Sequence, residues 1–248
     1  MKDEPKERLY SIMSLLITEI KNSDAKEGFD ISKNNYHLLS KDGKYLLEFN
    51  DYFNRLNKLI DDLNIVIEFI EKLPSFVLDR KELIDPINYI NYHLEVFYHK
   101  ISTINDVLKM MTNSVFRLGI PEINCNWEKI KNKRKDISNS VFCVIWRYHK
   151  TFKPLINIRQ LNTHRAINVN PTSNEIASLL LLKKNTDSDD KSELFIPIEL
   201  IENEIEKHRN EILGNIRHYR EIANNYVEEF INEISIEVVT HFAPKTIT

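Results

Sequence analysis

Residues 201–234 read IENEIEKHRNEILGNIRHYREIANNYVEEFINEI. Ile201, Ile205, His208, Ile212, Ile216, Tyr219, Ala223, Tyr226, Phe230 and Ile234 recur there every three or four residues. The mean step of about 3.7 residues is close to the α-helical turn, so the segment predicts one long, nearly straight helix with no supercoil. Gly214 lies mid-segment and is the weak point at which a bend is expected. A helix of this length with a single apolar stripe needs partners of comparable length to cover it. The expected fold class is therefore all-α, a bundle of long helices.

The partners lie upstream. Tyr52, Leu56, Leu59, Ile60, Leu63, Ile67 and Ile70 repeat at three and four until Pro74 ends the run. Ile87, Ile90, Leu94, Phe97, Ile101, Ile104, Leu108 and Met111 give a longer helix, from about Pro86 to Arg117, closed by Gly119-Ile120-Pro121. At 1.5 Å per residue it would be about 48 Å long, a spine for the domain. A first helix is expected over 5–22, with Leu9, Ile12, Met13, Leu16 and Ile20 on one stripe. Residues 22–44 are polar and contain Gly28 and Gly43, which predicts a loop; Tyr36 and Leu38 alternate as a short strand would. Trp127 opens a short helix or turn, and Ser138 to His149 forms another helix with Val141, Phe142, Ile145 and Trp146 inward. Residues 150–154 are expected to bend the chain at Pro154, with a fresh helix starting beyond it. A small strand pair is expected near 178–197, around a tip formed by Asp187-Ser188-Asp189-Asp190. Neither a repeat nor a dividing linker interrupts the chain. One all-α domain over 1–248 is expected, with 1–85 as an N-terminal helical extension and 86–240 as the main bundle.

Composition narrows the function classes. Four Gly in 248 residues leave little room for a Gly-rich phosphate loop, and no nucleophile elbow, HExxH or Walker lysine occurs. That removes P-loop NTPases, kinases, dinucleotide enzymes and α/β-hydrolases. A net charge of −3 gives no overall basic field, so any RNA contact must come from a local cluster of cations. Cys125 and Cys143 have neither CxxC spacing nor a zinc-finger His pair, and read as idle thiols of a cytoplasmic protein. His93 and His99 stand six apart rather than four, so no metal site is expected and the two read as packing or surface residues. The charged N-terminus does not read as a signal peptide, and no uninterrupted apolar run approaches 18 residues, so no membrane partner is expected. No cofactor is implied.

The residues richest in chemistry are Ile156-Asn157-Ile158-Arg159-Gln160-Leu161-Asn162-Thr163-His164-Arg165. Arg159 and His164 stand five apart. On a helix that spacing leaves them on neighbouring faces, close enough to share a ligand where a turn is tight or distorted. A guanidinium holds a phosphate bidentately, and an imidazole moves protons near neutral pH. Together they are the minimum apparatus for a phosphodiester. The alternative is a surface arginine and a helix-end histidine meeting carbonyls. Arg165 and Lys153, with Lys150 and Arg147 nearby, form either a phosphate-steering patch or a solvated helix edge.

The segment Arg159 to His164 resembles the Arg-x4-His form of the signature of HEPN domains, the higher eukaryote and prokaryote nucleotide-binding superfamily. The upstream order is also similar: a long helix bearing Tyr92-His93-Leu94-Glu95-Val96-Phe97, its end at Leu118-Gly119-Ile120, the Trp127 segment, another helix, then the signature. The likeness covers about residues 86–240 and is closest to the larger bacterial families. It implies an up-and-down helical bundle and metal-independent cleavage of RNA, in a toxin–antitoxin or defence setting, with an antitoxin as a protein partner. In active members, Arg and His of two protomers meet across a homodimer interface. Carried over, Arg159 would stabilise the phosphorane and His164 would act as base or acid while a ribose 2′-oxygen attacks the phosphorus. Gln160, Asn162, Arg165 and Lys153 would hold the RNA, and Glu95 would orient His164 or else be a charge on the flank of its helix. Gln160 stands where active members usually have Asn, Asp or His, and Ala166 where silenced toxins have Tyr. A second class of function stays open beside this one: a non-catalytic helical dimer that binds RNA, a nucleotide or a protein.

Overall fold

A computed structural model describes residues 5–26, 28–30, 32–73, 86–165, 171–188 and 197–243, with side chains at 161–165 and 184–188 left aside. The helices are α1 (Pro5–Asp24), α2 (Lys41–Glu71), α3 (Pro86–Val115), α4 (Trp127–Asn132), α5 (Asn139–Arg165), α6 (Pro171–Ser188) and α7 (Ile198–Phe242). Single 3-10 turns occupy Tyr36–Leu38, Glu122–Asn124 and Arg134–Asp136. Among the described residues there is no strand. The architecture is an all-α bundle, as its periodicity dictates. No helix among these residues is long and apolar enough to cross a membrane.

The chain packs as two compact units, one of residues 1–59, 103–151 and 224–248, the other of 60–102 and 152–223. Helices α2, α3, α5 and α7 each contribute to both. In the first unit α2 and α3 run antiparallel, with the Tyr45 hydroxyl donating to the Val115 carbonyl and the Ser114 hydroxyl to Glu48. Helices α5 and α7 are antiparallel too: Arg147 pairs with Glu229, and the Thr151 and Tyr226 hydroxyls lie 3.1 Å apart. Phe49, Leu56, Met111, Tyr148 and Phe230 fill this core, with Ile12 and Leu16 of α1. Trp127 stacks on Phe142 and on His149, at 5.7 and 4.8 Å between ring centres, which packs it against α5, whereas Trp146, expected inward, is 44% exposed. In the second unit α2 and α3 are again antiparallel, through Lys100 with Asp62 at 2.7 Å and Phe69 stacked on His93. Leu63, Ile70, Ile90, Phe97, Ile101, Phe152 and Ile216 fill that core, with Ile176 of α6. Burying each such side chain stabilises by about 1.5–3 kcal/mol.

Several expectations are corrected. Helix α2 begins at Lys41, inside the expected loop, because Ser40 caps it: its hydroxyl accepts from the Gly43 amide at 2.9 Å and donates to Glu19 of α1. This brings Tyr45, Leu46 and Phe49 into the core. Tyr36–Leu38 is a 3-10 turn rather than a strand. Pro154 neither ends nor restarts a helix; α5 runs through it. The stripe Val141, Val144, Ile145, Tyr148, Phe152, Leu155, Ile156 is buried on both sides of the proline. Pro154 and Lys150 lie on the exposed side, so the Lys150 carbonyl that loses its partner faces water. The strand pair near 178–197 gives way to α6 as far as Ser188, while 189–196 lie outside the described residues. Helix α3 ends at Val115, close to the expected Arg117, and Arg117 takes the left-handed conformation (φ 51°), followed by Gly119 (φ 71°). The Asn113 amide accepts from and donates to the Ile120 backbone, at 3.0 and 2.8 Å, which holds the chain through this reversal.

Candidate functional site

The site is built in the second unit from α3 and α5. Phe152, Leu155 and Ile156 bury one stripe of α5 and leave Arg159 at the edge of that face, half-buried. Its Nε donates to Nδ1 of His99 on α3 at 3.2 Å. The other ring nitrogen of His99 lies 3.9 Å from Oε1 of Glu95, one helical turn back, with the two side chains 38% and 41% exposed. An Nδ1 that accepts from arginine carries no hydrogen, so neutral His99 keeps its hydrogen on Nε2, facing the carboxylate. A cation, an imidazole and a carboxylate thus stand in a row on a surface that solvent reaches. Such a row fixes the guanidinium in place and lets it bind an anionic oxygen.

The predicted residues are only partly brought together. Arg159 and Glu95 belong to one cluster, but the ring between them is His99, not His164. Helix α5 is unbroken from Arg159 to Arg165. At 100° per residue, Arg159 and His164 therefore leave the axis about 140° apart. The distorted turn that would converge them in one chain is not present. Gln160 and Lys153 are exposed. The side chains of Asn162, His164 and Arg165 lie outside the described residues. His99 is the residue that sequence reasoning missed. Its signal was the i, i+4 spacing from Glu95, which places the two on one side of α3.

A second polar cluster in the same unit looks reactive and is not. The Ser173 hydroxyl of α6 donates to Asn91 at 2.9 Å and lies 2.9 Å from Nε2 of His208. With its hydrogen committed to Asn91, the serine accepts from His208, which therefore cannot serve as its base. Both residues are sealed from solvent, and burial pushes the His208 pKa down. The group fastens α6 to α3 and α7. Phe69, Tyr89 and Tyr92 surround His93, whose pKa burial also lowers. Among the described residues, no group of three or more His, Cys, Asp or Glu is placed to hold a metal ion. No family model, curated protein or solved structure matches the chain.

Proposed function

We propose that the protein is a metal-independent endoribonuclease of HEPN type, with Arg159 as the phosphate-holding cation and His164 as the proton-transfer group. One observation carries the reading: Arg159 is held by His99 at 3.2 Å, beside Glu95, at the half-buried edge of the helix that also bears His164. A guanidinium fixed in this way is preorganised for a phosphorane rather than swinging free in water. Because an unbroken helix sends Arg159 and His164 to different sides, the reading requires that the imidazole come from a second copy of the chain. The ribose 2′-oxygen loses its proton to the His164 imidazole and attacks the adjacent phosphorus, and the resulting imidazolium returns that proton to the departing 5′-oxygen. The products are a 2′,3′-cyclic phosphate and a 5′-hydroxyl end.

The test is incubation of labelled RNA with the purified chain in EDTA, wild type beside Arg159→Ala and His164→Ala. Loss of cleavage by about 100-fold or more in either variant, with unchanged circular dichroism, is expected. Equal degradation by all three would expose a contaminant and sink the reading. A toxin or defence role would show as growth arrest on expression that either substitution relieves, and as rescue by an antitoxin protein.

A specific observation favours a second reading. The Arg159–His99 bond joins α5 to α3 and is a sufficient structural use of the arginine. In that case the chain is a non-catalytic helical module that binds RNA, a nucleotide or a protein. No RNA is then cut by any variant, and Arg159→Ala changes only stability.

A further inference from the structure

Helix α1 has two apolar faces, of which one is buried among the described residues. Ile12, Leu16 and Ser23 are buried in the first unit, and Arg8 donates to Ser235 of α7. On the adjoining side, about 100° around the helix from that stripe, Tyr10 is 74%, Met13 37%, Ile17 50% and Ile20 40% exposed. With Lys6 before them and Asp24 after, these residues step along the helix by four, three, four, three and four. That alternation is the seam of a two-helix coiled coil, with apolar side chains at its four central positions and a charge at each end. The seam mirrors itself about residue 15: Lys6 with Asp24, Tyr10 with Ile20, Met13 with Ile17.

We propose that α1 pairs antiparallel with α1 of a second copy about a two-fold axis. Antiparallel pairing places Lys6 against the partner's Asp24 at both ends, and seats Tyr10 beside the partner's Ile20 and Met13 beside the partner's Ile17. Lys21 and Glu7, both exposed on one flank of the seam, face each other across the same axis. Parallel pairing would instead set Lys6 against Lys6 and Asp24 against Asp24. The charges therefore select the partner, a copy of this chain, and its direction. A 20-residue helix is about 30 Å long, so the contact falls near the lower end of specific interfaces and the dimer dissociates in the micromolar range. This pairing stands on α1 alone and does not depend on the ribonuclease reading.

Sedimentation velocity of the full chain from about 1 to 100 μM should show a monomer–dimer equilibrium. Ile17→Glu, at an exposed position, should weaken it about 100-fold while leaving the melting curve unchanged. Lys6→Glu should weaken it about 10-fold, and adding Asp24→Lys should restore it. Direction is read by oxidation in a Cys125→Ser/Cys143→Ser background. A mixture of Tyr10→Cys and Ile20→Cys chains should crosslink, whereas Tyr10→Cys alone should not, because the two copies of residue 10 lie about 15 Å apart along the axis. A monomer at every concentration overturns the proposal, as does a dimer indifferent to Ile17→Glu, or crosslinking by Tyr10→Cys alone. So does a monomer that binds phosphatidylserine vesicles through Ile17, which would assign the face to a membrane surface.

Discussion

His99 can accept from Arg159 only while its Nδ1 is bare, so the two residues act as a unit. Replacing His99 by leucine frees the guanidinium to point elsewhere, and cleavage should fall about 10-fold through kcat with KM nearly unchanged. His99→Asn keeps an acceptor close to the place of Nδ1, and should recover most of the rate. A merely structural histidine would not discriminate between the two variants, which single-turnover kinetics on labelled RNA can separate. His208 makes a prediction of a different kind. Its folded pKa lies below the ordinary 6.5 because burial disfavours the imidazolium. The unfolded chain then binds the extra proton first, so this contribution is fully present above pH 6.5 and is lost as pH falls from there toward the lowered folded value. His93 contributes with the same sign. The melting temperature should therefore drop as pH falls below about 6.5, and His208→Gln should flatten that drop. A slope unchanged in the variant would remove His208 from the account.

Gly214 sits on the solvent side of α7 and a methyl group added there would touch nothing within 4 Å. The helix is continuous through it. Gly214→Ala should thus stabilise by about 1 kcal/mol, a rise of about 2–4 °C in Tm by calorimetry. Asn113→Ala runs the other way: it strips both hydrogen bonds from the Ile120 backbone and should cost about 1–3 kcal/mol in the same measurement. The α7 stripe was legible because burial follows periodicity: Ile201, Ile205, His208, Ile212, Ile216, Ala223, Phe230 and Ile234 lie inward as spaced, with Tyr219 and Tyr226 half-buried. The same rule misled at α1, where Met13 and Ile20 were grouped with Ile12 and Leu16 although they belong to a second face. It was overridden at Pro154 by a local rule that packing defeats. The apolar stripe continues past the proline, and its burial outweighs the missing amide. At the site, Arg159 could be picked out by type, but its partner His99 is 60 residues earlier on another helix. No local spacing can show such a contact; only the turn from Glu95 to His99 was visible.

At the scale of the whole molecule the question is whether one chain can form a cleavage site. An unbroken α5 sets Arg159 and His164 about 140° apart, so the proposed chemistry belongs to an assembly. In a two-fold dimer each site would take its arginine from one copy and its histidine from the other. Chains carrying Arg159→Ala are then inactive among themselves, and so are chains carrying His164→Ala. Mixed and allowed to exchange, half of the dimers become heterodimers. Each heterodimer has one site that lacks both groups and one that keeps both. Activity on labelled RNA should thus return to about a quarter of the wild-type level from two inactive proteins. If the pair instead works within one chain, mixing restores nothing, because every chain still lacks one group. Rates that also fall with dilution would tie cleavage to an assembly that brings Arg159 and His164 of two copies together, independently of either substitution and of the α1 pairing.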